Sequence, residues 1–384
     1  MAKHALLSAS ASDRWLNCTP SARLTENLPD TTSEYAAEGT LAHSLGELEL
    51  SYQLKEITKS TYTRKLRDIK KNELYSEDMP DYIEIYTTYV FEKLAEAQSH
   101  TPDALIFLEQ KLDFSKWVPE GFGTCDCIII ADDLMEIIDL KYGKGIEVLA
   151  EDNTQMMLYA LGALEAFGWI YDIKSVRMTI MQPRLDNIST REVYTDDLLA
   201  WADTELKEKA QEAWEGTGDC ISGDWCKWCK VKSTCKARAD AMLAVAKPFE
   251  GKDKKHMDTD DIALILYKAD ELQAWAKDIQ DYALEQARDH GVKYSGWKLV
   301  EGRSNRKYSD EDLVASKLTD EGLTDEEIYN KKVKGITDME KKLGKKRFST
   351  ILQDLIIKPA GKPALVVSED KRPEINSVET DFDL

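Results

Sequence analysis

Between Leu105 and Leu140 the sequence carries three apolar runs in quick succession, LIFLEQKLDF, CDCIIIA and LMEIIDL. Each is too short for a helix and is punctuated by glycine or by the Asp132-Asp133 pair, so all three read as β-strands. The Asp-Asp step between the last two reads as a tight hairpin. The period then changes. Residues 151–168 are amphipathic at helical spacing and close on Gly168. Ser175 to Gln182 alternates Val176, Met178 and Ile180 as a strand, Arg191 to Tyr194 is its expected neighbour, and residues 196–214 are helical again. Strands, a helix and more strands, flanked by helices, define a mixed α/β core over about 35–215.

Upstream, residues 35–60 and 81–98 read as helices, and the polar, basic stretch 62–80 between them reads as a surface excursion. Downstream, 220–235 is rich in cysteine, and Asp258 to His290 is one long helical pattern stopped by Gly291. YSGWKLVEGRSNRKY (294–308) reads as a hairpin, short charged helices follow, and the acidic tail from about Ser368 is expected to be disordered. The expected division is therefore a core over 1–245, a helical and hairpin accessory region over 246–367 and a tail over 368–384. No internal repeat is evident.

The 384 residues are 42% hydrophobic and 32% charged, a soluble globular composition. No run approaches 18 apolar residues, and the opening MAKHALLSASASDRW lacks the apolar segment of a signal peptide. A cytoplasmic location without membrane contact is expected. In a reducing compartment seven cysteines are thiols or metal ligands rather than disulfides. The net charge of −20 argues against a generally basic nucleic-acid coat but leaves room for a local basic groove.

Asp126 sits in the middle of an apolar strand, where alternation puts Cys125 and Cys127 together on the opposite face as small core residues. Asp139 and Lys141 share a face of the next strand, with Ile138 and Leu140 on the other. Paired as a hairpin, the two strands bring Asp126 and Asp139 together. Carboxylates about 4 Å apart repel by roughly 4 kcal/mol at an effective dielectric near 20, which a divalent cation relieves. Lys141 beside them suits the charge of a phosphate. Taken singly, each aspartate is equally a strand-end or turn residue. His43 and Glu47 lie four apart on one helix face, and Gln155 and Tyr159 on one face of the helix after Lys141. Glu109, in the first strand, supports this site or is simply exposed.

The set Gly39-Thr40, His43 and Glu47, then Gly123 and Asp126, then Asp139-Leu140-Lys141, then Gln155 and Tyr159 resembles the PD-(D/E)XK nuclease superfamily. More narrowly it resembles the RecB/AddB-like branch that includes the iron–sulfur nucleases of CRISPR adaptation. Cys125 stands where the name-giving proline would be. The likeness covers about residues 5–240 and implies a restriction-endonuclease-like fold. It implies a metal, Mn²⁺ or Mg²⁺, held by His43, Asp126, Asp139 and the Leu140 carbonyl, with Glu47 behind His43. Lys141 would be the catalytic lysine, and Gln155 and Tyr159 would support the site or contact DNA. The whole chain also looks like a phage- and prophage-borne family known only as a domain of unknown function with this core.

Cys226, Cys229 and Cys235 form C-x₂-C-x₅-C, a spacing that closes a chelate loop on one ion or cluster. Three thiolates leave one ligand position open. Cys220 competes for it by proximity, as in a Zn²⁺ ribbon. The resemblance implies Cys18 instead, clasping a [4Fe-4S] cluster that staples the N-terminal segment to the end of the core.

These readings converge on a metal-dependent DNA exonuclease or end-processing nuclease of phage recombination or replication. An imidazole ligand favours Mn²⁺ over Mg²⁺. No G-x-x-x-x-G-K-[ST] loop is present, so unwinding would need a partner. A single-strand annealing or single-strand-binding protein is the expected companion, and an oligomer is compatible with the sequence. The rival reading is a catalytically silent DNA-binding or scaffold protein on the same fold. Lys293, Trp297, Lys298, Arg303, Arg306 and Lys307 form a basic, aromatic cluster suited to DNA, and KKLGKKRF (341–348) a second basic docking surface.

Overall fold

A computed structural model of the chain describes residues 5–29, 34–245, 257–300, 309–330, 333–352 and 355–357. It divides into two units, one of residues 1–253 with 271–279, the other of 254–270 with 280–384.

The first unit opens with two short helices, α1 (Ser12–Asn17) and α2 (Ser21–Thr25), then α3 (Glu34–Gln53), α4 (Lys59–Ile69) and α5 (Met79–His100). The strands β1 (Leu105–Asp113), β2 (Phe122–Ile130) and β3 (Asp133–Leu140) follow. After them come α6 (Thr154–Phe167), β4 (Ile173–Gln182), β5 (Asn187–Tyr194), α7 (Thr195–Trp201), α8 (Lys207–Glu215) and α9 (Lys236–Ala244). The sheet order is β1-β2-β3-β4-β5. β3 and β4 run parallel across the α6 crossover, and every other neighbouring pair is antiparallel. This is the mixed α/β arrangement the apolar pattern demands.

Both faces of the sheet are covered. On one, Ile128, Ile137 and Ile180 pack with Met156 and Leu161 of α6 and with Trp15 of α1. On the other, Ile129, Ile138 and Leu140 pack with Ala42 and Leu45 of α3 and Ile83 and Tyr86 of α5. Asn153 starts α6 by accepting the Met156 N–H, and Gly168 caps its end. Asp133, at φ 64°, makes the β2–β3 turn, where the Ala131 N–H donates to the Leu134 carbonyl over 3.0 Å.

Three expectations are corrected. The helix expected over 35–60 ends at Gln53, and part of the expected surface excursion is the helix α4. Its sparse apolar residues Tyr62, Leu66 and Ile69 recur at i, i+4 and i+7, which suffices to seat one face. Cys125 and Cys127 do not share a face: Cys125 packs on the α6 side and Cys127 on the α3/α5 side. The cause is a local break in the β1–β2 ladder, which pairs Leu108 with Cys127 and Gln110 with Cys125 but leaves out Glu109 and Asp126 between them. On β1 Glu109 has φ 45°, and opposite it β2 turns Cys125 and Cys127 to different faces. Residues 294–300 of the expected hairpin hold a turn at Gly296, and its remainder, 301–308, lies outside the described residues.

Of the second unit, the described parts are helical: the two ends of α10 (Thr259–Asp289), then α11 (Glu311–Asp320), α12 (Asp325–Ile328), α13 (Ile336–Leu343) and α14 (Lys345–Leu352). Asp258 and Asp261 form a reciprocal capping box at the start of α10, and Gly291, at φ 68°, follows its end. No described helix is long and apolar enough to cross a membrane. The expected tail over 368–384 lies outside the described residues, as do Arg303, Arg306 and Lys307 and the side chains of Lys341, Lys345 and Lys346.

Candidate functional site

α3 and the centre of the sheet meet at Asp126. Its Oδ2 accepts the Leu140 backbone N–H at 2.7 Å, and its Oδ1 lies 3.1 Å from His43 Nδ1 on α3. One carboxylate thus ties β2 to β3 and orients the imidazole. Glu109 completes a group in which ligand atoms of His43, Glu109 and Asp126 all lie within 4.8 Å of one another. The same ladder break that separates the two cysteines brings Glu109 and Asp126 together.

Beside this group is a second network. Lys141 Nζ lies 2.9 Å from Asp139 Oδ2 and donates to Gln155 Oε1 at 3.1 Å. Gln155 Nε2 in turn donates to Asp139 Oδ1 at 3.3 Å and to the Tyr159 hydroxyl at 3.2 Å. Asp139 is buried, and its Oδ2 receives no hydrogen bond of good geometry despite the nearby ammonium. Gly123 lets Tyr159 lie flat on β2, since a Cβ there would come within 2.8 Å of the ring.

The electrostatics show an excess of negative charge in a dry place. Burial, reinforced by Asp126, pushes Glu109 up to about 7. His43 is raised to about 9: burial opposes its charge, but the Asp126 carboxylate outweighs it. Burial also raises Asp139, against the pull of Lys141, while Asp139 overcomes burial to raise Lys141. Tyr159 is raised by burial and by Asp139. One nitrogen and several carboxylate oxygens, one of them buried without a donor, form a set that fits a divalent cation.

His43, Asp126, Asp139, Lys141, Gln155 and Tyr159 therefore come together as the sequence suggests, and Leu140 takes part through its backbone. Glu47 is half-buried on α3, close enough for its charge to help raise the proton affinity of Glu109. Glu109 has a firmer place than its position in the first strand alone suggests. Its signal was a carboxylate in the middle of an apolar strand.

A second constellation lies at the N-terminal helices. Cys18, Cys220, Cys226, Cys229 and Cys235 all line one cavity, with Arg14 and Trp225. Cys18, Cys226 and Cys229 are buried, while Cys220 is exposed and lies beside Cys18, and burial, with Cys18 adding to it, raises its thiol. Trp228, beside Cys229, is 72% exposed. Thr19 Oγ1 donates to the Thr217 carbonyl at 2.7 Å and Arg23 Nε to the Trp214 carbonyl at 2.6 Å, so the two chain segments that carry the thiols are joined by protein contacts as well.

Fold and side chains define an α/β protein with a half-buried His–carboxylate centre and a separate five-thiol cavity. The chain belongs to the family described as "Protein of unknown function (DUF2800)", which matches residues 4–373. Among solved structures, one described as "Crystal structure of SSO0001" aligns at 14% identity and a TM-score of 0.22, covering 59% of this chain and 96% of that one.

Proposed function

We propose that the protein is a divalent-metal-dependent DNA nuclease on a restriction-endonuclease-like core, acting on DNA ends as an exonuclease. The observation that carries this reading is the pairing of a His43–Glu109–Asp126 donor group with the buried Asp139–Lys141–Gln155 network next to it. A silent scaffold has no use for so much uncompensated buried charge.

His43, Asp126 and Asp139, with Glu109 and the Leu140 carbonyl as further donors, would hold Mn²⁺ or Mg²⁺. Such an ion polarises a phosphodiester and lowers the pKa of a bound water. The chain's own residues do the rest. Asp126 fixes the His43 ring by its hydrogen bond. Asp139 and Gln155 hold the Lys141 ammonium charged and aimed, where it offsets charge developing on a phosphate oxygen. Tyr159 and Gln155 keep that ammonium in place.

The thiol cavity is the proposed seat of a [4Fe-4S] cluster on Cys18, Cys226, Cys229 and Cys235, closing a core over 1–245. On that set Cys220 is a spare thiol next to Cys18, and Zn²⁺ with Cys220 as the fourth ligand is the alternative occupant. The proposed setting is phage or prophage DNA in a bacterial cytoplasm, with a single-strand annealing or binding protein as partner.

The test is digestion of end-labelled linear single- and double-stranded DNA in Mn²⁺ or Mg²⁺ by anaerobically purified protein. Asp139→Asn and Lys141→Ala should each abolish cleavage. Activity within tenfold of wild type in Asp139→Asn refutes the reading. Iron and sulfide analysis of the same preparation, with Cys18→Ala and Cys220→Ala, tests the cluster: only Cys18→Ala should bleach the protein.

A further inference from the structure

The helix beside α3 carries a charge pattern that the fold does not use. In a chain of net charge −20, residues 55–71 hold seven cations, Lys55, Lys59, Arg64, Lys65, Arg67, Lys70 and Lys71, against two acids, Glu56 and Asp68. All seven are exposed, and none has an ion pair or side-chain hydrogen bond among the described residues. Exposed cations elsewhere in this unit do find partners: Lys116 with Glu165, Lys174 with Asp133, Arg191 with Glu151.

α4 is held by its other face. Tyr62 donates to Glu49 of α3 at 2.7 Å and stacks on Tyr52 at 4.3 Å, and Leu66 and Ile69 pack into the α3/α5 core. At 100° per residue Arg64, Arg67 and Lys71 fall directly opposite that seated face. The Lys71 N–H still donates to the Asp68 carbonyl at 3.3 Å, so the helical turn continues through it. Lys65 and Lys70 lie to either side, nearer the seated face. From Arg64 to Lys71 the stripe runs about 10 Å, the reach of about three phosphates along one DNA strand. The connection of residues 54–58 folds α4 back along α3, so the stripe rides on the helix that carries His43. Glu49, which anchors Tyr62, lies only about 9 Å along that helix from His43.

We propose that the outer face of α4 is a docking surface for the DNA phosphate backbone, holding the substrate strand against the His43 centre. This rests on the nuclease reading for its substrate. Its physical ground is charge complementarity: like charges crowded on one solvated stripe repel unless a polyanion neutralises them, and DNA gains the entropy of the counterions released.

The test is fluorescence anisotropy of full-length protein with a labelled linear duplex in EDTA, from about 50 to about 300 mM salt. The triple variant Arg64→Ala, Arg67→Ala, Lys71→Ala loses three phosphate contacts. Its slope of log affinity against log salt should be shallower by about 2–3 units than that of the wild type. Affinity at low salt should fall at least about tenfold. Arg64→Lys with Arg67→Lys should keep the wild-type slope, and Lys116→Ala with Lys174→Ala should leave both quantities unchanged. Circular dichroism confirms that the triple variant is folded. An unchanged slope in the triple variant overturns the proposal and leaves the stripe to an acidic protein partner; so does a wild type that fails to bind duplex at low salt. The two readings fail separately. Salt-sensitive binding lost in the triple variant, without cleavage by the wild type, refutes the nuclease and keeps the docking face. Cleavage by the wild type with an unchanged slope does the reverse.

Discussion

The donor group at Asp126 makes a quantitative prediction about stability. A cation that binds only the folded chain stabilises it by RT ln(1 + [M]/Kd), about 2.7 kcal/mol at a hundredfold excess over Kd. The first unit has about 260 residues, and at roughly 2.1 cal/mol/K per residue its unfolding entropy is about 0.5 kcal/mol/K. Saturating Mn²⁺ should therefore raise its melting temperature by about 5 °C. Asp126→Asn isolates the charge. The amide oxygen can still accept the Leu140 N–H and the amide group can still face His43, so the metal-free variant should melt within about 2–3 °C of the wild type. The Mn²⁺ shift should nonetheless disappear. Asp126→Ala strips the buried Leu140 N–H of its acceptor, at about 1–3 kcal/mol, and should lower the metal-free melting temperature by about 2–6 °C. Differential scanning fluorimetry in EDTA and then in millimolar Mn²⁺ reads all three. No shift in the wild type, or an equal shift in Asp126→Asn, refutes the assignment of the ligands.

The same group sets a pH dependence. Folding raises His43 to about 9 and Glu109 to about 7, so the folded metal-free chain binds both protons more tightly than the unfolded chain. The stabilisation is complete below about pH 4.5 and is lost as pH rises through 7 and then 9, so melting in EDTA should move down between pH 5 and 9. The Mn²⁺-induced shift should grow over that range because the ion displaces these protons, and a shift larger at pH 6 than at pH 8 would contradict it. Arg177 lies 3.5 Å from the buried Glu136, so Arg177→Ala should cost about 3–5 kcal/mol in denaturant unfolding. Mild acid should partly restore it, since burial already raises Glu136 and a proton then removes the uncompensated charge. Gly162 seats α6 on β1, and a Cβ there would lie 2.9 Å from the Leu112 Cβ, so Gly162→Ala should cost about 1–3 kcal/mol by the same measurement.

The sheet was legible because its strands are buried on both faces, and such strands write themselves as unbroken apolar runs bounded by turn residues. The crossover helix α6 was equally plain, with its cap at Asn153 and its stop at Gly168. The α4 helix was not, because only Tyr62, Leu66 and Ile69 are apolar in a basic stretch, and the charge hides the period. The pairing of Cys125 with Cys127 failed for a different reason. Strict alternation assumes an unbroken ladder, and the break at the Glu109–Asp126 pair, marked on β1 by a positive φ that Glu has no intrinsic preference for, cannot be read from the sequence. The approach of Cys18 to Cys220 and the C-x₂-C-x₅-C segment is similarly tertiary. Sequence spacing shows that three thiolates need a fourth; it does not say which distant thiol the fold delivers.

The break at Glu109 and Asp126 also explains why two networks can share one site without merging. Regular alternation would turn Asp126 away from one helix layer and hold it on the other. With the pair left out of the ladder, Asp126 turns toward His43 on α3 and still reaches the Leu140 N–H on β3. Asp139, on the unbroken strand beside it, keeps regular alternation and meets Gln155 of α6. One layer of helices thus contributes the imidazole and the other contributes the groups that hold Lys141. Between them, at the centre of the sheet, Asp126 comes close enough to Asp139 to add to its proton affinity. Rigid elements on both sides fix that spacing, so relief by simple side-chain rotation is blocked, and the remaining relief is a proton or a cation. Burial, with Asp126 adding to it, makes Glu109 and Asp139 take up protons more readily than ordinary carboxyls, and a divalent ion competes for the same oxygens.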